Sequence, residues 1–145
     1  MSIKHHLLGT WKLVSMISES ISGEASYPFG QDPLGYITFT DDNFVFLTVT
    51  TSGRANFEKP DRLKASLEEK AQALDTCSAY SGSYKVDGEL LFMHILCGSF
   101  PNWVGKVQKR HCAFEGNKFI ATTEPRFSGG KEVVVTVVWE KVQPG

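Results

Sequence analysis

Most of the chain consists of short runs in which apolar and polar residues alternate, rich in β-branched and aromatic side chains. This pattern is typical of strands, because successive side chains of a strand point to opposite faces of a sheet. It predicts eight strands, at residues 7–17, 34–40, 44–51, 78–86, 89–98, 105–115, 118–124 and 132–142. Tight turns are predicted at Asp41–Asn43, Asp87-Gly88 and Gly116-Asn117, where Asp, Asn and Gly stand between two such runs.

Residues 61–76 depart from this alternation. Leu63, Leu67, Ala71 and Leu74 recur at helical spacing among charged residues and alanines. The segment therefore predicts one amphipathic helix of about four turns. Its apolar stripe needs a partner surface, and we expect it to lie on an end or a flank of the sheet.

The order of elements predicts an all-β fold. Eight antiparallel strands in sequence favour a single up-and-down β-barrel, because closure of the sheet removes its exposed edges. A chain of 145 residues fits one domain, so we assign residues 1–145 to a single barrel with one helix. The interior of a barrel of this size can hold side chains and one small ligand.

Charge and hydropathy exclude several classes of partner. The chain has 15 Lys and Arg against 16 Asp and Glu, which gives no electrostatic reason to expect nucleic acid or an anionic membrane. No run approaches the ~18 apolar residues of a transmembrane helix. The N-terminal segment MSIKHHLLGTW lacks the apolar core of a signal peptide. We therefore expect a cytoplasmic protein that binds neither nucleic acid nor membranes.

The sequence contains no recognisable metal or cofactor motif. Cys77, Cys97 and Cys112 are odd in number and widely spaced, so we expect three reduced thiols, two of them buried in strands, and no zinc site. Glycine-rich phosphate loops, dinucleotide fingerprints, HExxH and GxSxG are all missing. We therefore predict that the protein uses no cofactor and no metal.

A family resemblance begins at Gly9-Thr10-Trp11, which resembles the Gly-x-Trp that opens the first strand of lipocalin-type barrels. Further blocks that resemble the lipocalin-like domain proteins of bacteria and fungi follow in order: LLGTWKLVS (7–15), YPFGQDPLGYI (27–37), AYSGSYKVDG (79–88), PNWVGKVQKR (101–110) and VVWEKV (137–142). The resemblance implies a cytosolic barrel around a small hydrophobic compound. It also implies structural roles for Trp11, which would plug the closed end, and for Arg110, which would pack over the indole.

Alternation along the strands assigns an inner and an outer face. Placing Lys12, Lys85, Lys109 and Glu140 outside gives an interior that is mostly apolar and aromatic. The inward set is then Trp11, Leu13, Ser15, Ile17, Tyr80, Tyr84, Val86, Gln108, Arg110, Cys112, Phe114, Val133, Val135, Val137 and Trp139. Apolar walls with a few polar groups are the usual composition of a small-molecule pocket.

Six residues are candidates for ligand contacts, each with packing or turn capping as the alternative: Tyr36, Tyr80, Tyr84, Asn102, Trp103 and Gln108. Tyrosine hydroxyls inside a barrel either satisfy a local partner or orient a ligand. Asn102 and Trp103 belong to a predicted loop, where Trp103 could rim the mouth of the barrel. Glu124 and Arg126, on either side of a proline, are expected to form a solvated pair.

His94 is the candidate acid or base, because its ordinary pKa near 6.5 suits proton transfer at neutral pH. Both faces of strand 89–98 are apolar, so alternation does not fix the strand's orientation. A two-residue turn at Asp87-Gly88 would point Met93 inward, and a three-residue turn would point His94 inward. The apolar outer face could be covered by the helix or by a second subunit, so both a monomer and a homodimer fit the sequence.

Two functions remain open. The first is a binding protein that holds a small, largely hydrophobic molecule, either a metabolite or a biosynthetic intermediate. The second is a cofactor-independent cyclase or isomerase of a natural-product pathway, acting on a polyketide- or terpenoid-like intermediate. In the second, the barrel would hold one reactive conformation and His94 or a tyrosine would move a proton.

Overall fold

The computed structural model describes residues 3–143 and confirms the predicted closed barrel. Within these residues, ten antiparallel strands form one sheet: β1 Gly9–Ser20, β2 Ala25–Ser26, β3 Leu34–Phe39, β4 Phe44–Thr50, β5 Cys77–Asp87, β6 Leu90–Gly98, β7 Val107–Glu115, β8 Lys118–Thr123, β9 Arg126–Ser128 and β10 Lys131–Lys141. Pairing of β1 with β10 closes the barrel, and the short strands β2 and β9 extend one rim. The helices are α1 (Lys4–Leu7) and α2 (Leu67–Asp75).

The two ends of the barrel differ in their connections. Helix α1 and the tight turns before β4, β6 and β8 lie at one end, which we call the closed end. Four longer connections, residues 21–33, 51–76, 99–106 and 124–130, lie at the opposite end, which we call the open end. Long connections at one end can surround an entrance, whereas tight turns leave little space through which a ligand could enter.

An aromatic plug fills the closed end. Trp11 is 4% exposed, and its indole Nε1 donates a hydrogen bond to the Leu7 carbonyl of α1 at 2.8 Å. Phe119 packs edge-on against the indole, with ring centroids 5.5 Å apart. The cation over the indole is Lys141, whose Nζ lies 4.8 Å from the ring centroid. The prediction that Arg110 would pack there is wrong, because Lys141 is the residue paired with Trp11 across the β1–β10 ladder.

A β-bulge in β1 changes which residues face inward. The register with β10 shifts between Leu13 and Ser15. Beyond the shift, Met16 and Ser18 pair with inward-facing residues of β10. Ser15 and Ile17, predicted to face inward, face outward instead. A bulge inserts one residue and reverses the faces after it, which alternation alone does not reveal.

The predicted helix over 61–76 divides into a 3₁₀ turn, Arg62–Lys64, and the nine-residue α2. Ser66 begins α2 through a capping box: its hydroxyl accepts a hydrogen bond from the Glu69 amide at 3.1 Å, and the Glu69 carboxylate accepts one from the Ser66 amide at 3.0 Å. This cap starts the helix later than the apolar spacing predicts.

The sequence predicted that the apolar stripe of this segment would lie on the barrel. This prediction is wrong, because the stripe is exposed. Leu63, Leu67 and Leu74 are 75%, 84% and 56% exposed, and α2 contains no buried residue. Polar contacts hold the helix to the preceding loop instead. Arg54 donates hydrogen bonds to the Ala73 carbonyl and the Thr76 hydroxyl, at 3.0 and 3.1 Å.

Candidate ligand-binding cavity

A cavity runs inside the barrel and opens between the connections of the open end. The cavity measures about 90 Å³. This is well below the ~300–1,000 Å³ of ordinary ligand pockets. The cavity is therefore a narrow hollow, suited to a slender or small guest.

The walls of the cavity are mainly apolar. They are formed by Met16, Phe29, Ile37, Leu47, Val49, Ser78, Tyr80, Leu91, Met93, Trp103, Arg110, Phe119, Ala121, Thr123, Arg126, Val135, Val137 and Trp139. The inward orientation predicted for Val135, Val137 and Trp139 agrees with their burial, at no more than 7% exposed. Apolar burial contributes ~25 cal/mol per Å², so these walls favour an apolar guest over water.

Loops of the open end supply the rim of the cavity. Trp103 follows Pro101 in a 3₁₀ turn, and its ring packs edge-on against Tyr80 at 6.0 Å and against Phe100 at 5.2 Å. Phe29, from the connection between β2 and β3, also reaches the cavity. The sequence pointed to Trp103 but not to Phe29, because loop side chains follow no periodicity from which an orientation could be deduced.

Tyr80 brings a hydroxyl into this apolar space. Its hydrogen-bond partner among the described residues is the Met93 Sδ, at 3.8 Å. A thioether sulfur is a weak acceptor, so the hydroxyl has capacity for a stronger one. Burial raises the pKa of Tyr80, against the opposing effect of Arg110 and Arg126. The hydroxyl is therefore protonated at neutral pH and acts as a donor.

Two arginines also line the cavity. Arg110, in β7, donates hydrogen bonds to the Lys109 carbonyl at 2.9 Å and to Gln108 Oε1 at 3.3 Å. Gln108 pairs with the inward-facing Met93, which places its amide beside the guanidinium. Burial, and then the charge of Arg110, lower the pKa of Arg126. Arginine nevertheless keeps its charge in proteins, so the cavity contains two cations.

The expected pair between Glu124 and Arg126 does not form. Glu124 contacts Lys109 Nζ at 3.1 Å and His111 Nε2 at 2.9 Å on the outer surface. Arg126 begins β9 and pairs with Val133, whose side chain is buried in the barrel. Glu124 and Arg126, on either side of Pro125, therefore lie on opposite faces of the sheet. Arg126 lines the cavity, which the sequence did not indicate.

His94 lies on the outer surface and not in the cavity. Asp87 pairs with Leu90, so the turn between β5 and β6 has two residues, but these are Gly88 and Glu89 and not the predicted Asp87 and Gly88. This is the alternative that points Met93 inward, where it is 2% exposed. Proton transfer by His94 to a guest inside the barrel is therefore contradicted by the geometry.

Tyr36 also lies outside the cavity. It is 52% exposed and pairs with the outward-facing Lys12, in a groove of the outer surface that Phe46 and Cys97 help to form. The strand alternates as predicted, with Ile37 as the inward neighbour that lines the cavity. A ligand contact by Tyr36 inside the barrel is therefore excluded by its face of the sheet.

Tyr84 and Asn102 do not reach the cavity either. Tyr84 faces inward near the closed end, where its hydroxyl donates a hydrogen bond to the Thr40 carbonyl at 2.9 Å and its ring packs edge-on against Phe39. This is the local-partner alternative for that hydroxyl. Asn102 is exposed in the turn that orients Trp103. Of the six candidate contact residues, Tyr80 and Trp103 line the cavity and Gln108 contacts it through Arg110.

The three cysteines are free thiols that differ in their exposure. Cys112 is buried, and burial raises its pKa to about 12. Cys97 is exposed and Cys77 half-buried, so one thiol is buried where the sequence predicted two. Over residues 3–143, no three His, Cys, Asp or Glu side chains are grouped so that they could hold a metal ion. None of the described helices has the length and apolar character needed to cross a membrane.

The sequence profile of a family described as a lipocalin-like domain matches residues 8–142. The match covers the barrel from β1 to the end of β10, including every strand that contributes to the cavity. The chain belongs to the lipocalin-like domain family. No curated protein shows significant similarity to it.

Proposed function

We propose that the protein binds a small, largely hydrophobic molecule inside its barrel. The observation that carries this proposal is the hollow itself: inward-facing side chains of the strands leave an apolar space that opens between the loops of one end. A barrel of eight strands is wide enough to hold one small ligand. Membership of a lipocalin-like family supports the same role, although a fold alone does not fix a ligand.

A binding role explains the cavity better than catalysis does. The cyclase or isomerase hypothesis needed His94 or a tyrosine to move a proton, and His94 faces outward. Tyr80 is the predicted acid or base that remains in the cavity, and its raised pKa suits donation of a hydrogen bond more than removal of a proton. Binding needs only the apolar walls and the opening.

Fluorescence titration with the neutral, apolar dye N-phenyl-1-naphthylamine tests the proposal. We expect saturable binding with enhanced emission, because the dye leaves water for an apolar site. Ala121 lines the cavity and is 5% exposed, so Ala121→Phe places a phenyl ring in the narrow part of the hollow. We expect this variant to weaken dye binding by at least about tenfold, which corresponds to ~1.4 kcal/mol.

The matched control is Ala113→Phe, the same substitution on the exposed outer face of the neighbouring strand β7. It should bind the dye as the original protein does. Circular dichroism must first show that both variants fold, since overpacking a core costs ~1–3 kcal/mol. Equal dye affinity in Ala121→Phe and the original protein would refute a binding site inside the barrel.

A further inference from the structure

The two cavity arginines have no anionic partner in the described chain. Arg110 is hydrogen-bonded to a backbone carbonyl and an amide oxygen, both neutral. The ion pairs of residues 3–143 join Lys109 or His111 to Glu124 and Lys131 to Glu24, and neither guanidinium takes part in one. Both arginines are half-buried, and a charge that is partly withdrawn from water gains from an ionic partner, so an anion from outside the chain would stabilise this arrangement.

The arginines lie at a defined level of the cavity. Arg110 pairs with Thr123, the last residue of β8 at the open end, and Tyr80 is the fourth residue of β5, which begins at that end. Arg126 follows β8 where that strand reaches the same end. Phe119 and Trp139 line the cavity nearer the closed end. The polar groups are thus close to the mouth, and the aromatic floor lies below them.

This arrangement, with polar groups near the mouth and aromatic side chains deeper in the cavity, specifies the orientation of a guest. An apolar body would be buried against the floor, while an acidic group would stop at the level of the arginines. The donors available there are guanidinium N–H groups and the Tyr80 hydroxyl, whose present partner is a weak sulfur acceptor. Guanidinium N–H groups match the two oxygens of a carboxylate, and such charge-assisted hydrogen bonds are about twice as strong as neutral ones.

We propose that the ligand is an apolar molecule carrying one carboxylate, which binds with its apolar end toward Trp139 and its carboxylate at Arg110 and Arg126, where the Tyr80 hydroxyl donates a further hydrogen bond. This inference rests on the proposed function and narrows it from hydrophobic molecules in general to amphipathic monoacids.

A comparison of octanoate with 1-octanol tests the carboxylate site, because the two compounds share a slender apolar chain and differ in the charge of the head group. Both are titrated by displacement of N-phenyl-1-naphthylamine from the full chain at neutral pH. Octanoate is expected to bind at least about tenfold more tightly than 1-octanol, because its carboxylate accepts charge-assisted hydrogen bonds that a neutral hydroxyl does not. This comparison uses the unmodified protein and needs no variant to fold.

Arg110→Gln and Arg126→Gln then locate the head group. Each is expected to weaken the binding of octanoate by about five- to tenfold, while the affinity for 1-octanol changes by less than about twofold. A general loss of structure would weaken the binding of both compounds. Lys85→Gln removes one positive charge from the exposed outer face of β5 and is the matched control. It should leave both affinities unchanged.

The outcomes separate this inference from the proposed function. Equal affinities for octanoate and 1-octanol, or octanoate binding that survives both arginine substitutions, would overturn the carboxylate site while leaving a neutral hydrophobic ligand in place. Displacement of the dye by neither compound, together with failure of the dye itself to bind, would overturn both. Octyl phosphate binding more tightly than octanoate would also contradict the choice of a carboxylate.

Discussion

Trp11→Ala is expected to lower the free energy of unfolding by about 3–5 kcal/mol, the usual cost of truncating a buried tryptophan to alanine. The indole fills the closed end of the barrel, where it contacts Phe119 and donates a hydrogen bond to the Leu7 carbonyl. Its loss leaves a cavity and removes the hydrogen bond between the indole and α1. Urea denaturation followed by circular dichroism measures the change.

Trp103→Ala is the matched control, since it makes the same truncation at the opposite end. Trp103 is half-buried at the mouth and packs against Tyr80 and Phe100. We expect it to cost less than half as much stability as Trp11→Ala. The Trp103 side chain is already partly in water in the folded protein, so its truncation removes less buried apolar surface. Similar losses for the two substitutions would contradict the distinction between a plugged end and an open one.

Gly82→Ala is the second substitution with a large expected effect, and should destabilise the fold by ~3 kcal/mol or more. A Cβ added at Gly82 would lie 1.8 Å from the carbonyl oxygen of His94 and 2.8 Å from its carbonyl carbon. These are backbone atoms of the adjacent strand, so no change of rotamer relieves the clash. The β5–β6 ladder shifts register between Ser81 and Gly82, and the two backbones approach closely there.

Ser83→Ala, one residue further along β5, adds no atom and serves as the control. Its free energy of unfolding should lie within about 0.5 kcal/mol of that of the original protein, the usual range for a substitution outside the core. Equilibrium urea denaturation of both variants measures the difference. An unfolding midpoint for Gly82→Ala equal to that of Ser83→Ala would show that β5 and β6 are not held as closely as described.

The barrel could be predicted from the sequence because most strands alternate without interruption. Val133, Val135, Val137 and Trp139 all face inward as the pattern indicates, and their cross-strand neighbours follow the same phase. The prediction failed for Ser15 and Ile17 because one residue in β1 bulges. In β6 both faces are apolar, so only the length of the preceding turn decided that His94 faces outward.

The candidate site was less predictable than the barrel, since part of it is made by loops. Arg126 follows a proline beyond the end of β8, and Phe29 lies in a connection without regular structure. Neither position follows a period that would assign its side chain to a face. Arg110 was placed inside correctly but at the wrong end, because the family resemblance suggested contact with Trp11, a role that Lys141 fills.

Methyl-resolved NMR of the protein titrated with N-phenyl-1-naphthylamine tests the central claim most directly, because it reports where the guest lies. We predict chemical-shift changes at the methyl groups of Ile37, Leu91 and Met93, which line the hollow, and none at the exposed methyl groups of Val14 and Leu96. Changes confined to the outward-facing methyl groups, with the inner ones unaffected at saturation, would contradict the account.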